Sequence, residues 1–164
     1  MKIGITGHQK LEDSTNWNWV KLEFNKILAQ CPKPFTGVTS LAIGADQLFA
    51  EAVLEHGGSL AIIIPFNEYE FKFSEGYERQ KYHCLLDKAT TVNILPQMAS
   101  DEESYFEAGK KVVGIVDFLV AVWDGKPSRG LGGTADVVKY AKQCQKKIVY
   151  LNPIVCTVDE LADT

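Results

Sequence analysis

The chain has 164 residues, the usual size of one globular domain, and we predict a single domain over residues 1–164. Its apolar fraction of 46% and charged fraction of 23% are those of an ordinary soluble protein. The formal net charge is −4, and the lysines and arginines are scattered rather than gathered in a basic stripe. The composition therefore argues against a dedicated nucleic-acid binder, and we predict no nucleic-acid partner.

Cysteine spacing and hydropathy suggest the compartment and the cofactors. The four cysteines form no Cys-x-x-Cys pair and no Cys/His ligand spacing, so we expect reduced thiols, no structural zinc and no other metal. The longest apolar run, 112–123, is broken by a glycine and an aspartate and is too short to cross a bilayer. The N-terminal residues lack the apolar core of a signal peptide. We therefore predict a cytoplasmic protein with no membrane partner.

Short apolar runs alternate with segments of helical periodicity along the chain. The runs predicted as strands are 2–6, 37–42, 60–64, 90–95, 117–123 and 147–151. The segments predicted as helices are 17–30, 46–55, 75–88, 104–116 and 134–144. We expect a polar loop at 97–103, and the tail after Pro153 carries no clear signal. This alternation predicts an α/β sandwich with a mostly parallel sheet of about six strands.

Ligands of open parallel sheets bind beyond the carboxyl ends of the strands. Small, polar and glycine residues follow several of the predicted strands, and we expect them to share one rim. They are Thr6-Gly7-His8 after the first strand, Gly44-Ala45-Asp46 after the second, Pro65-Phe66 after the third, and Trp123-Asp124-Gly125, Arg129 and a glycine loop at 130–134 after the fifth.

The glycine loop, Gly130-Leu131-Gly132-Gly133-Thr134, joins a predicted strand to a predicted helix. The first N–H groups of a helix lack partners and the helix dipole is positive there, so this junction is suited to a phosphate. The glycines would let the backbone approach the ligand, and Thr134 would cap the helix and donate its hydroxyl. The loop is neither a Walker A sequence nor Gly-x-Gly-x-x-Gly. Its glycines would equally serve a tight turn alone.

Other rim residues also have two interpretations. Asp46 would contact a ribose hydroxyl or cap its helix. Gly7 would admit a ligand, and His8 would bind phosphate, act as a general acid or base, or be an ordinary loop residue. Trp123 and Phe66 would stack on a base or belong to the core.

Asp124 and Asp136 are the carboxylates nearest the glycine loop. Cleavage of a glycosidic bond needs such a group to stabilise positive charge or to activate water. Arg129 would then clamp a phosphate. In the alternative, Asp124 stabilises its Asp-Gly turn, Asp136 favours the start of a helix, and Arg129 is a solvated charge.

The rim motifs, read in order, resemble those of the SLOG superfamily, which includes the LOG phosphoribohydrolases and the DNA-processing protein A family. The likeness runs from about Ile3 to Pro153. It depends on Thr6-Gly7-His8, Ser40 to Asp46, Pro65-Phe66, Tyr105 with Gly109, Ala121 to Gly125, and Gly132 to Asp136. It implies a Rossmann-like three-layer sandwich, a homodimer or higher homo-oligomer, and a nucleotide-type ligand at the glycine loop.

The phosphoribohydrolase pattern, Gly-Gly-x-Gly-Thr-x-x-Glu, is only partly present. Gly130-Leu131 replaces its first glycine pair, and Val137 stands where the catalytic glutamate falls. Asp136 or Asp124 would have to take that role.

The first functional hypothesis is therefore a protein that binds a nucleotide or nucleotide derivative, with no cofactor. Gly7, Gly44, Gly130, Gly132, Gly133 and Thr134 would hold its phosphates, with His8, Asp46, Pro65 and Trp123 alongside. The second is an enzyme cleaving the N-glycosidic bond of a nucleoside 5'-monophosphate, through Asp136, Asp124 and Arg129. The third is a nucleotide sensor that acts with a separate effector.

Overall fold

The computed structural model describes residues 1–128 and 130–161. The strands are β1 (Lys2–Gly7), β2 (Thr36–Thr39), β3 (Ser59–Ile64), β4 (Thr91–Ile94), β5 (Phe118–Val122), β6 (Lys147–Asn152) and β7 (Thr157–Leu161). The α-helices are α1 (Asn16–Ala29), α2 (Ala45–Glu55), α3 (Tyr77–Leu86), α4 (Asp101–Ile115) and α5 (Thr134–Gln143). A short 3₁₀ helix covers Tyr69–Lys72.

The strands form one sheet in the order β4-β3-β2-β1-β5-β6-β7. Every neighbouring pair is parallel except β6 and β7, which are antiparallel. The predicted α/β fold with a mostly parallel, Rossmann-like sheet is confirmed. The run Ser59–Ile64 shows why the pattern was readable, because a strand covered on both faces is almost continuously apolar.

Each face of the sheet has its own core. On one face α1, α2 and α3 pack over Ile3, Ile5 and Ile62. On the other face α4 and α5 pack over Leu119 and Ala121. The layers are therefore helix, sheet and helix.

Three features differ from the prediction by more than two residues. The tail forms a seventh strand, β7, whose pairing with β6 no local pattern announced. The polar loop expected up to residue 103 is already helical from Asp101, because the Ser100 hydroxyl accepts the Glu103 N–H at 3.1 Å. β2 ends at Thr39, before the predicted residue 42, because the chain turns at Leu41, whose φ is 56°.

Within residues 1–128 and 130–161, none of the helices has the length and hydropathy needed to cross a membrane.

Candidate functional site

The carboxyl ends of β1 and β5 lie where the order of the sheet reverses. The chain proceeds outward from β1 through β2 and β3 on one side and from β5 through β6 on the other. Gly7 lies opposite Val122, and the His8 N–H donates to the Val122 carbonyl oxygen at 3.1 Å. Connections that diverge from two adjacent parallel strands leave a crevice above them, which is the usual ligand position in such sheets.

His8 and Asp124 lie side by side at this crevice. The His8 Nε2 atom is 3.2 Å from the Asp124 Oδ1 atom and 3.0 Å from the Asp124 backbone nitrogen. The same ring nitrogen accepts the Asp124 N–H when unprotonated and donates to the carboxylate when protonated. The side chains are 28% and 21% exposed, so a ligand can reach both. The pair is therefore a place where a proton can be taken up or released.

The Asp124 carboxylate is held in its ionised form. Burial alone would raise its pKa, but the Lys126 N–H, which donates to Oδ1 at 3.0 Å, and the neighbouring His8 together lower the pKa of Asp124. The bond from Lys126 also closes the Asp-Gly turn. The functional and the structural interpretations of Asp124 are thus compatible.

Asp46 faces inward, toward its own loop. Its Oδ2 atom accepts the Thr39 hydroxyl at 2.9 Å and the Ser40 N–H at 3.0 Å. Burial raises the pKa of Asp46 to about 6, against the lowering effect of these hydrogen bonds. The side chain therefore fixes the β2–α2 loop, and a ribose contact by Asp46 stays a prediction.

Gly44 brings the start of α2 against the loop that follows β1. Its φ is 85°, and a Cβ atom there would lie 2.4 Å from the Gln9 carbonyl oxygen and 2.5 Å from that of His8. The Ala45 N–H also donates to the His8 carbonyl oxygen at 3.1 Å. Gly44 thus positions the backbone of His8, and its predicted contact with a phosphate has not been tested.

Three other predicted ligand residues have packing roles. A Cβ atom on Gly7 would lie 2.5 Å from the Ala45 Cβ atom, so Gly7 lets α2 approach β1. Pro65 is buried at the end of β3. Trp123 packs on the α4–α5 core, and its Nε1–H donates to the Lys126 carbonyl oxygen at 2.8 Å. Direct ligand contact by these residues stays a prediction.

The glycine loop packs closely at its second and third glycines. Gly132 has a φ of 86°, and a Cβ atom there would lie 2.7 Å from the Glu102 carbonyl oxygen of α4. A Cβ atom on Gly133 would lie 2.7 Å from the Ser128 Oγ atom, whereas one on Gly130 would meet open space. Gly132 and Gly133 therefore allow a tightly packed turn, which is one of the two interpretations of the glycine loop.

Asp136 acts on this turn from the first turn of α5. Its Oδ2 atom accepts the Gly132 N–H at 3.0 Å, in the manner of a residue that caps its own helix. The Asp136 N–H in turn reaches the Gly133 carbonyl oxygen at 3.1 Å and the Ser128 Oγ atom at 3.3 Å. The structure gives Asp136 a capping role, and its proposed catalytic role stays a prediction.

Two backbone donors at the start of α5 form no hydrogen bond within the part of the chain that the structure describes. Within the described residues, the N–H groups of Thr134 and Ala135 have no acceptor at hydrogen-bonding distance. Thr134 is half-buried and is the first helical residue. Such free donors at the positive end of a helix dipole favour an anion.

Sequence reasoning missed one residue of this region, Ser128. Ser128 supplies the hydroxyl that Gly133, the residue before the helix, lacks, but it lies outside the usual capping spacing. Tyr105, one of the residues on which the family resemblance depends, packs against Phe66 with ring centres 5.9 Å apart. Arg129, the predicted phosphate clamp, lies outside the described residues.

The site is defined by backbone donors and strand order rather than by a deep cavity. Two shallow grooves lie elsewhere, one of about 290 Å³ beside Leu95 and α4 and one of about 190 Å³ between α2 and α3. Among the described residues, no three His, Cys, Asp or Glu side chains are grouped as metal ligands would be.

Comparison with solved structures identifies the fold. DNA processing protein A from Streptococcus pneumoniae matches with a TM-score of 0.61 and 11% identity over 92% of this chain and 50% of that one. The Helicobacter pylori protein matches with a TM-score of 0.63 and 15% identity over 93% and 65%. The molybdenum cofactor carrier protein of Chlamydomonas reinhardtii matches with a TM-score of 0.54 and 18% identity over 92% and 75%. This chain thus spans half to about two thirds of the two DNA processing proteins.

These similarities confirm the Rossmann-like fold that the motifs suggested. No protein-family model and no curated protein matches the sequence.

The prediction that nucleic acid is not a partner is wrong. The Helicobacter pylori protein has this fold and is described as binding single-stranded DNA. The prediction depended on the net charge of −4, but net charge averages over the whole surface and says little about one crevice.

Proposed function

We propose that this protein binds a nucleotide or nucleotide-derived ligand in the crevice above β1 and β5, with a phosphate at the start of α5. The fold is a ligand-binding one, and the observation that carries the nucleotide assignment is the pair of open N–H donors on Thr134 and Ala135. α5 follows β5, so its first residues come after the carboxyl end of the strand that Asp124 also follows, next to β1 and His8. A phosphate placed there would accept charge-assisted hydrogen bonds from backbone N–H groups. Such binding needs no basic side chain and is therefore compatible with the acidic net charge of the chain.

A thermal-shift screen tests this assignment. The panel contains nucleoside monophosphates, ADP-ribose, NAD, cyclic nucleotides and a short single-stranded oligonucleotide, because a protein of this fold binds single-stranded DNA. A ligand at a hundred times its Kd adds about 2.7 kcal/mol to the free energy of unfolding, which is a measurable shift. Stabilisation by phosphate-bearing compounds, and less by the matching nucleosides, supports the proposal. Equal responses to nucleotide and nucleoside would contradict it.

A second candidate function is hydrolysis of the N-glycosidic bond of a nucleoside 5'-monophosphate. The observation that favours it is the His8–Asp124 pair, in which an ionised carboxylate lies 3.2 Å from an imidazole nitrogen. Asp124 would stabilise the positive charge that develops on the sugar or activate water, and His8 would exchange a proton with the leaving base.

Product analysis of each stabilising ligand distinguishes binding from turnover. If the protein is this hydrolase, free base is released by the wild type, is lost in Asp124→Asn and persists in Asp136→Asn, whose amide oxygen still accepts the Gly132 N–H. Loss of turnover in Asp136→Asn with Asp124→Asn unaffected would transfer the catalytic role to Asp136. A ligand that survives intact makes the protein a binding or sensing module.

A further inference from the structure

β4 is an edge strand with unusually little protection. Its four residues, Thr91–Ile94, are all exposed, and Val92 and Ile94 are 48% and 50% exposed. Residues 89–100 contain no Asp, Glu, Lys or Arg, in a chain of which 23% is charged. Natural edge strands are usually guarded by charged side chains, prolines or bulges. β7, the opposite edge, is guarded in this way by Asp159 and Glu160.

The hydrogen-bond pattern shows which groups of β4 face outward. The Ser59 N–H donates to Phe35 beside β2, so the odd-numbered residues of β3 face β2 and the even-numbered ones face β4. The Leu95 N–H donates to the Ile64 carbonyl oxygen, which fixes Thr91 and Asn93 as the residues bonded to β3. The N–H and C=O groups of Val92 and Ile94 therefore face the open edge.

We propose that β4 pairs with β4 of a second copy of this chain, antiparallel about a twofold axis at Asn93. In this register Val92 of each copy lies opposite Ile94 of the other, and the two exchange both backbone hydrogen bonds. Two such pairs give about four hydrogen bonds and leave no outward group of Val92 or Ile94 without a partner.

The side chains complement this register. Val92 and Ile94 lie on the same face as Ile62 and Ile64, their neighbours in β3, so the pairing joins four exposed apolar side chains into one cluster. On the other face the two Asn93 amides meet at the axis, where each can donate to the other.

Charge favours a second copy as the occupant. Two chains of net charge −4 repel each other, so self-association requires a surface without charge, and the edge of β4 provides one. Pairing of β4 with β4 is also isologous and closes after two copies, whereas pairing of β4 with the acidic edge of β7 would be heterologous and would form a larger ring or an open filament.

Matched substitutions test the surface. Val92 on β4 and Val158 on β7 are 48% and 45% exposed, so Val92→Lys and Val158→Lys add the same charge to two similar edge positions. Sedimentation velocity over a wide concentration range should show a dimer for the wild type and for Val158→Lys, and a monomer for Val92→Lys. Circular dichroism confirms that each variant is folded. A wild-type monomer at every concentration, or a Val92→Lys dimer, would overturn the proposal.

Cross-linking tests the register. Directly opposed residues that do not exchange hydrogen bonds have Cα atoms roughly 4.5 Å apart, which a disulfide can span. In a background with the exposed Cys84, Cys144 and Cys156 changed to serine, Asn93→Cys should give a covalent dimer on mild oxidation. Val158→Cys should form no covalent dimer under the same conditions. Failure of Asn93→Cys to cross-link in a solution that contains dimer would show that the copies use another surface.

Discussion

Replacement of Asp46 by asparagine should change how the stability of the protein depends on pH. Asp46 is 6% exposed, and burial raises the pKa of its carboxyl from 3.8 to about 6. The Asp46→Asn side chain keeps an oxygen that can accept the Thr39 hydroxyl or the Ser40 N–H but has no proton to lose. The variant therefore removes the titration and leaves most of the loop intact.

Whether the free energy of unfolding rises or falls with pH depends on which state, folded or unfolded, keeps the proton on Asp46. Between pH 3.8 and about 6 the folded protein retains a proton on Asp46 that the unfolded chain has lost. The free energy of unfolding of the wild type therefore falls as pH rises through this window, and it levels off above it. A shift of about two units corresponds to a loss of about 3 kcal/mol, which is a large part of the stability of a small domain.

Urea unfolding of both proteins at a series of pH values from 4 to 8 measures this effect. Contributions from the other titrating groups are common to both proteins and cancel in the difference between the two free energies of unfolding. The slope of this difference with pH therefore reports on Asp46 alone. We expect the free energy of unfolding of Asp46→Asn, relative to that of the wild type, to increase with pH up to about pH 6. An exposed control, Asp87→Asn, should show no such increase. A flat difference for Asp46→Asn would mean that burial does not dominate at this carboxyl. An opposite slope would mean that its hydrogen bonds dominate instead.

Two further predictions concern backbone geometry and capping. Gly44 and Gly76 each precede a helix with nearly the same φ, 85° and 89°, but a Cβ atom clashes only at Gly44. In chemical denaturation, both Gly44→Ala and Gly76→Ala should lower the free energy of unfolding by about 1–3 kcal/mol through backbone strain. Gly44→Ala should lower it by about 1–3 kcal/mol more, because its Cβ atom clashes with the loop after β1. Equal losses in the two variants would contradict the close approach of α2 to His8. Ser100→Ala should cost about 1 kcal/mol by removing the cap of α4, and no loss would show that the Ser100 hydroxyl does not hold the Glu103 N–H.

Much of the sheet was predictable because buried parallel strands are read directly from apolar runs such as 60–64. β7 was not predictable, because Thr157–Leu161 is short and contains two acidic residues, so its own sequence does not indicate a strand. Its structure depends on pairing with β6. The start of α4 was missed because acidic residues near its beginning look like a polar loop, although they favour a helix N-terminus.

The adjacency of His8 and Asp124 was predictable from the sequence, but the structural roles of Asp46 and Asp136 were not. Because the carboxyl ends of parallel strands share one edge of a sheet, His8 and Asp124 were expected at the same rim, and their side chains lie 3.2 Å apart. Sequence could not show that Asp46 faces back to Thr39 and Ser40, or that Asp136 binds the Gly132 N–H. Those contacts satisfy backbone groups of tight turns, and turn geometry follows from the fold as a whole.

The central claim is that open N–H groups at the start of α5 bind a phosphate, and Thr134→Pro tests it most directly. Proline is favoured as the first residue of a helix, and Gly133, with φ −71° and ψ 173°, has the extended backbone that a residue before proline requires. The substitution therefore removes one N–H donor without removing the helix, and Thr134→Ala is the control for the lost hydroxyl.

The measurement is calorimetric titration of wild type, Thr134→Ala and Thr134→Pro with the best nucleotide from the screen and with its nucleoside. We predict that Thr134→Pro weakens nucleotide binding about tenfold or more relative to Thr134→Ala, since a hydrogen bond to a charged group contributes about 1.5–3 kcal/mol. Nucleoside binding should not change. Equal nucleotide affinity in the two variants would contradict the placement of the phosphate at α5.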